Sequence, residues 1–330
     1  MNVAVTGVGA LIGQGIIKSL QGTEYNVIGV NSEELGAGLY ATKRSYLGFY
    51  ANDKKFISRI AEICRAEECS ILFPGLDAEL IPLSNHIDFL KTNGTCPIVS
   101  RPEVIEICND KLKTCMFLRE NGFPFLRTYN LRSYSFELDY PVVLKPKKGG
   151  SGSIGVFVIE NEKQFNFFRE TLDIDNYVVQ EYVEGEEYTC GTITFGGKCI
   201  GVIVMKRQLR GGDTYKAFVV RNSALEDFVS KVVLALNPFG ACNIQLRTRN
   251  RIPYVFEINA RCSGTTAARA LAGFNEPKII CDFISKGIDN PTFTIKEIAV
   301  LRYWKELAVS YDQIREMKSS HFAVNPGANL

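Results

Sequence analysis

The chain has 330 residues, 46% of them hydrophobic and 22% charged, a length that exceeds one small core and suits two or three domains. Its 38 Lys and Arg against 36 Asp and Glu leave a formal charge of +2, no field to hold a nucleic-acid backbone. No apolar run reaches the ~18 residues that span a bilayer, and the opening MNVAVTGVGA has no basic segment before an apolar stretch, so a cytoplasmic protein without nucleic-acid or membrane partners is expected.

The first third alternates strand and helix signals: a strand over 2–6, a glycine-rich turn, a helix through Leu20 and a strand over 25–30. Phe56, Ile60, Ile63 and Cys64 give one apolar helical stripe; a short buried strand over 71–73, a helix over 76–90 and a strand over 97–99 follow. Residues 1–101 thus read as a doubly wound α/β domain. Its turn, GVGALIG, has the spacing GxGxxxG, and the second strand ends Gly29-Val30-Asn31 where a dinucleotide site would want an acid for the ribose. A tight strand-to-helix crossover accounts for it, with a nicotinamide-dependent oxidoreductase as the rival reading.

After Pro102 come two helices, Asp110 capping the second, which ends at Asn121-Gly122. Mostly antiparallel strands are then predicted over 141–145, 154–159, 177–182, 188–195, 199–205 and 215–220, with a helix over 162–171. A helix over 224–236 leads into a hairpin, 241–247 and 252–258, and to helices over 265–272 and 276–286. A last strand over 298–304 is expected to complete the sheet, and the tail KSSHFAVNPGANL to be flexible. The ten cysteines lie in apolar segments without a CxxC pair and read as reduced core residues. With His86 and His321 the only histidines, a Cys/His zinc site or a nucleophilic triad is poorly supplied.

Two segments carry chemistry of their own. In VVLKPKKGGSGSIGV a buried strand delivers Lys145 to a loop of glycines and hydroxyls, whose amides can approach phosphate oxygens while the lysine supplies a point charge. In the hairpin, Glu257 and Asn259 share a strand face, and pairing about a turn near Asn250-Arg251 puts Gln245 opposite Glu257. Oxygen ligands without histidine or thiol suit magnesium, which completes its shell with phosphates and water. Between them, VVQEYVEGEEYT is an apolar strand ending in acids, as suits an adenine and ribose hinge or an exposed acidic turn.

The order of Lys111 in NDKLKT, the VVLKP strand and glycine loop, the QEYVEGEEYT hinge and the FEINARCSGT strand resembles the ATP-grasp superfamily, and within it the single-module members like the carbamoyl-phosphate-synthetase large subunit. PGLDAEL also resembles the domain that precedes the grasp in that group. The resemblance implies an α/β pre-ATP-grasp domain over 1–101, an α+β grasp with an N-lobe over 102–183 and a metal-bearing C-lobe over 184–317, and a flexible tail over 318–330.

The same resemblance implies that Lys111 and Lys145 touch ATP phosphates and that Ser151, Gly152 and Ser153 lie in the loop closing over them. Glu181 and Val183 match the adenine hinge and Glu187 the ribose-binding acid. Gln245, Glu257 and Asn259 match ligands of Mg2+, for which Mn2+ can substitute, and Arg261 lies next to the transferred phosphoryl group. Gly9, Ala10, Leu11, Asp77 and Glu79 would wall the acceptor pocket. Arg207, Arg210 and Arg261 suggest an acceptor with a carboxylate or phosphate, and Asp213 is an acid that could take a proton. Ala260 departs from the proline of many members. The implied activity is ATP-dependent conversion of a small-molecule carboxylate to an acyl phosphate, with ADP released, followed by attack of an amine in a homodimeric enzyme. Carbamoyl- or carboxyphosphate chemistry and a non-catalytic ATP-binding module are the alternatives.

Overall fold

The computed structural model describes residues 1–149, 151–303 and 305–328; Gly150 of the glycine loop, Trp304 of the last predicted strand, Asn329 and Leu330 lie outside the described residues. In the first domain β1 (Asn2–Val5) leads through the glycine turn to α1 (Leu11–Leu20) and β2 (Asn26–Asn31). Side chains alternate across β1. Val3 and Val5 pack with Ile16 and Leu20 on one face, and Ala4 packs with Ile60, Ile63 and Leu72 on the other. The turn is tight because Gly13 has no side chain: a Cβ there would lie 2.8 Å from the Gly7 carbonyl carbon and Val8 Cα.

The chain continues through α2 (Ala37–Ala41), β3 (Arg44–Leu47), α3 (Phe56–Ala66), β4 (Cys69–Phe73), α4 (Leu80–Ser84), α5 (Ile87–Thr92) and β5 (Cys96–Pro97). The single helix expected over 76–90 is instead a 3₁₀ turn at Asp77–Glu79 and two short helices, broken at Asn85 and His86. His86 is exposed and its Nδ1 lies 2.8 Å from the Pro82 carbonyl.

Two helices follow, α6 (Pro102–Asn109) and α7 (Lys111–Glu120). The Asp110 carboxylate caps α7 by accepting from Leu112 N at 2.9 Å and Lys113 N at 3.4 Å. A four-stranded sheet is built from β6 (Thr128–Asn130), β7 (Val142–Pro146), β8 (Phe157–Ile159) and β9 (Tyr177–Glu181), in the order β6-β9-β7-β8, with α8 (Glu162–Thr171) against it. Leu131, Val142, Leu144, Ile159, Phe165 and Val179 give this lobe a core of its own.

A six-stranded antiparallel sheet then forms from β10 (Glu186–Phe195), β11 (Lys198–Arg210), β12 (Asp213–Val220), β13 (Gly240–Arg249), β14 (Ile252–Asn259) and β15 (Ala299–Leu301), with α9 (Ser223–Leu236) on one face. β15 extends it by pairing with β12. The segment 207–214, expected as a loop, is the end of one hairpin: β11 and β12 run past their predicted bounds to a turn at Gly211-Gly212. Its KRQLR sequence lacks the apolar alternation that marks a half-buried strand.

Helices α10 (Thr266–Leu271) and α11 (Glu276–Lys286) fasten the large sheet to the first domain: Val5, Ile16, Leu20 and Phe73 share one core with Ala268, Ile279 and Ile280. The flexible tail expected from residue 318 is corrected over the described residues. They carry the end of α12 (Tyr311–Ser320) and β16 (Phe322–Val324), which pairs antiparallel with β3, while Asn325 Nδ2 donates to the carbonyls of Leu39 and Thr42 at 2.9 Å. The first sheet is therefore ordered β16-β3-β2-β1-β4-β5, parallel except at β16.

Between α10, α11 and the large sheet lies a fully buried ion pair, Arg269 Nη1 to Glu276 Oε1 at 2.8 Å. Gly191 on β10 makes room for it, since a Cβ there would meet Glu276 Oε1 at 2.6 Å. Thr266 Oγ1 donates to the second Glu276 oxygen at 2.8 Å, and Arg269 also reaches Asn243 Oδ1. Removing one partner strands the other charge without water. Glu276→Ala is expected to lower the unfolding free energy by about 3–5 kcal/mol in urea titrations, and a loss below ~1 kcal/mol would contradict this account.

Candidate active site

The two grasp sheets face each other across a cleft of about 900 Å³ that is open to solvent. The four-stranded sheet contributes Val143, Lys145 and Val158, the large sheet Glu187, Arg207, Gln245, Arg247 and Glu257, and the connection 181–183 closes one end. The apolar residues suit a flat aromatic ligand and the charged ones a polyanion.

Lys145 lies inward on β7, 6% exposed, and donates to Gln180 Oε1 at 2.8 Å and to the Phe256 carbonyl at 3.0 Å. Both acceptors are neutral. Burial pulls its ammonium down to a pKa of about 7; Glu257 opposes the shift and Lys111 adds to it. Lys111 opens α7, where its backbone N donates to the Lys147 carbonyl at 3.0 Å and its Nζ to the Gly149 carbonyl. It too is lowered by burial, against the attraction of Glu257 and Asp77. The glycine loop is thus moored at its base by the capped end of α7. Ser151–Ser153 is a 3₁₀ turn in which Gly152 and Ser153 have φ near 60–70°, and Ser153 and Gly149 line the cleft. The tip of the β11–β12 hairpin packs on this loop, with Gly212 against the Gly152 carbonyl.

On the opposite wall the predicted register holds: Gln245 pairs with Glu257 and Asn243 with Asn259. Asn259 Nδ2 donates to Glu257 Oε1 at 2.9 Å. Arg261 is buried and grips Asp77 through two bonds, Nε to Oδ1 at 2.6 Å and Nη2 to Oδ2 at 2.9 Å. Burial raises the Asp77 carboxyl, but Arg261 outweighs it and leaves the pKa below its usual value. The first domain therefore reaches the segment that follows β14 through Asp77. Leu11 reaches the same region: a Cβ on Gly264, three residues after Arg261, would lie 2.7 Å from Leu11 Cδ2.

Other expected residues are placed differently. Glu79 is a buried strut whose carboxylate accepts from Thr6 Oγ1 at 2.6 Å and from the amides of Gly75 and Leu76 at 3.1 Å; burial raises its pKa to about 7. It faces its own backbone instead of an acceptor. Gly9 N donates to Asn31 Oδ1 at 2.9 Å and Ala10 N to the Gly7 carbonyl at 2.9 Å, so these two amides of the turn are spent internally. Asn31 thus fills the place a pyrophosphate would need. Arg210 is exposed, lies over the Tyr215 ring at 5.5 Å and pairs in register with Asp213 across the hairpin turn, away from the cleft lining. Glu181 and Val183 line the cleft, but the Glu181 carboxylate is held by Arg127 at 3.2 Å and Arg249 at 3.4 Å, its amide donates to the Arg127 carbonyl at 2.9 Å, and the Val183 carbonyl accepts from Arg247 Nη1 at 3.1 Å.

Three residues emerge only from the structure. Arg247 and Arg207 both clamp Glu187, at 3.0 and 2.6 Å. Arg247 was findable, since it is two residues beyond Gln245 and so on the same strand face. Gln180, the acceptor for Lys145, sits inside the hinge motif without a sequence signal for that contact. Arg302 donates to the Gly264 carbonyl and lies near Asp213, a contact across 38 residues that no local pattern announces.

The depressed Lys145 pKa has a thermodynamic consequence. Between about 7 and the ordinary lysine value near 10 the unfolded chain holds a proton that the folded chain has shed, so stability of the free protein rises with pH across that interval. Lys145→Met should lose most of that rise; equal slopes for both proteins in urea midpoints between pH 7 and 9.5 would contradict it.

An ATP-grasp domain profile matches residues 108–265. A D-alanine–D-alanine ligase of Clostridium beijerinckii is 29% identical over 176 residues, 46% of this chain and 58% of that protein, so the chain spans little more than half of this curated relative's length. Among solved structures, an N5-carboxyaminoimidazole synthetase from Staphylococcus aureus complexed with ADP superposes with a TM-score of 0.70 at 16% identity, over 89% of this chain and 79% of that one. An L-amino acid ligase from Bacillus licheniformis does so at 0.66 and 17%, over 86% and 73%. These likenesses show the fold. With the domain match over 108–265 and two sheets enclosing one cleft, that segment of the chain is similar to an ATP-grasp domain and has its fold.

Proposed function

We propose that this chain is an ATP- and Mg2+-dependent ligase that activates a carboxylate as an acyl phosphate and transfers the acyl group to an amine, releasing ADP and phosphate. The observation that carries the reading is the position of Lys145. Its ammonium, bonded only to neutral oxygens, joins the lobe bearing the glycine loop to the strand bearing Glu257, so a phosphate-seeking cation and an unpaired carboxylate share one cleft. Relatives and neighbours named as ligases and synthetases, one of them complexed with ADP, support it.

Lys145 and Lys111 would bind the phosphates, under a lid formed by the glycine loop, and the hinge backbone at 181–183 the adenine. Among the described residues no three His, Cys, Asp or Glu side chains cluster, so a cation would rest on Glu257 and on amide oxygens, a donor set that suits magnesium with phosphate and water completing the shell. When bound, magnesium neutralises charge on the phosphates. In the first step a substrate carboxylate oxygen attacks the terminal phosphorus and the bond to the bridging oxygen of ADP breaks. In the second an amine attacks the acyl carbon and phosphate leaves, taking up the proton directly or through water. The chain supplies position and fixed charge, which is most of what phosphoryl transfer requires. Arg261, neutralised by Asp77, is set to meet the transferred group. Exclusion of water from the acyl phosphate falls to the loop and the hairpin tip packed on it.

The proposed enzyme is cytoplasmic and homodimeric, with small-molecule substrates. Among the described residues no helix is long and apolar enough to cross a membrane. β15 pairs with β12, and sedimentation as a monomer at micromolar concentration would remove the dimer.

Mg-nucleotide should raise the Tm of the wild type and leave Lys145→Ala unmoved. Glu257→Ala should keep its fold and lose about 10²–10³-fold in ADP release measured over pools of carboxylates and amines. A wild type that no nucleotide stabilises, or a Glu257→Ala variant with undiminished turnover, would overturn the assignment.

A further inference from the structure

The arginines around the cleft are matched to carboxylates, Arg207 and Arg247 to Glu187, Arg249 to Glu181 and Arg261 to Asp77. Arg302 differs from them. It is half-buried, its Nη2 donates to the Gly264 carbonyl, and among the described residues it makes no ion pair. Burial lowers its pKa, and Asp213 at the exposed hairpin tip opposes the shift from outside ion-pair distance. A guanidinium carries five N–H groups in a planar fork, so one carbonyl leaves most of them to an oxyanion.

The sheet shows which way Arg302 faces. Val300 lies opposite Ala217 and Ala217 opposite Arg207, so the three share one face of the large sheet, the face on which Arg207 lines the cleft. The ladder runs one residue past β15, with Arg302 N donating to the Tyr215 carbonyl at 3.2 Å, and alternation from Val300 puts Arg302 on that same face. Arg302 therefore extends the wall two strands beyond Arg207, about 10 Å at ordinary strand spacing. Its neighbours come from three parts of the chain. Gly264 follows Arg261 by three residues and is covered by Leu11 of the first domain, and Asp213 follows the Gly212 that touches the glycine loop. First domain, loop and hairpin tip thus meet around one guanidinium.

Strand β15 is the edge of the sheet opposite β14. A group bound by Arg302 is then separate from a carboxylate reacting beside Glu257, and from nucleotide phosphates at Lys145, whose ammonium touches the β14 backbone. We infer that Arg302 is a substrate-binding residue that holds an oxyanion, carboxylate or phosphate, which one of the two substrates carries at an end remote from its reacting group. The inference rests on the ligase reading above. It makes the enzyme selective for a substrate with a second, unreactive anion.

The test compares substrates that differ in that anion. ADP release with Mg-ATP is followed over amino acids with dicarboxylic acids, over phosphorylated amines with monocarboxylic acids, and over a neutral set of amino acid amides with monocarboxylic acids. The wild type should turn over an anionic set and not the neutral one, and Arg302→Gln should raise KM for the active component about 10–100-fold while kcat falls far less. Arg302→Lys, which keeps the charge and loses the fork, should recover part of the KM. Equal turnover of the neutral set, or an Arg302→Gln variant with unchanged KM, overturns the inference. A second measurement needs neither variant nor turnover: with Mg-ADP present, glutarate or inorganic phosphate should slow phenylglyoxal modification of Arg302, read by peptide mass, about fivefold or more. Protection by glutarate identifies a carboxylate and protection by phosphate a phosphate; protection by neither overturns the inference. A wild type whose Tm no Mg-nucleotide moves would instead remove the ligase reading and this inference with it.

Discussion

A lysine ammonium taken out of water and given only neutral acceptors is the constraint around which this cleft is organised. Lys145 is held by an amide oxygen of the small lobe and a backbone carbonyl of the large one, neither of which repays the loss of hydration of a full charge. Its surroundings make an anion the missing partner. The glycine loop, moored through Lys111 N to the Lys147 carbonyl, starts two residues after it, and Glu257 follows the carbonyl it touches. Loop, lysine and carboxylate are therefore set by the same few contacts.

The packing decides what can move. The first domain and the large sheet share a core through α1, α10 and α11, and further ties such as Tyr25 Oη to Asp282 at 2.6 Å and Asn275 Nδ2 to the Ser19 carbonyl at 2.6 Å make that junction part of the interior. The four-stranded lobe is different: its core of aromatic and branched residues is closed on itself. The small lobe meets the large sheet through the connection 181–183 and through the Gly212–Gly152 contact between the hairpin tip and the loop.

Much of this was legible because local rules decide it. Helix α8 at Glu162–Thr171 and α11 at Glu276–Lys286 fall on their predicted bounds, each opened by an asparagine whose side chain caps the first turn. The Gln245–Glu257 pairing followed from period-two alternation about a turn. What escaped lacks local patterning. Strand β3 is four residues with a mixed surface, β16 sits in a sequence composed like a tail, and the β11–β12 tip has Leu209 alone among polar residues and glycines. The first two are held by neighbours distant in sequence: β16 pairs with β3 across about 280 residues, which no window detects. Glu79 misled for a related reason. An acid in a motif reads as a ligand until its hydrogen bonds are counted, and all of those seen here go to its own turn and Thr6.

The same counting explains why the N-terminal glycine turn, the most familiar-looking motif in the chain, is not where the chemistry lies. A phosphate site at a helix N-terminus needs amides left unsatisfied and room in front of them. Here Asn31 takes the Gly9 amide and packs against both Gly9 and Gly36, so the place beside Gly9 is filled by the domain's own side chain. The loop after Lys145 has the opposite character: Gly149 and Gly152 have open space where a side chain would stand, and the nearby Lys145 donates to neutral oxygens of Gln180 and Phe256. Two glycine-rich turns of similar composition are thus separated by what surrounds them. A turn whose glycine amide is already taken by a side chain serves close packing, and an open one beside a buried lysine offers ligand access.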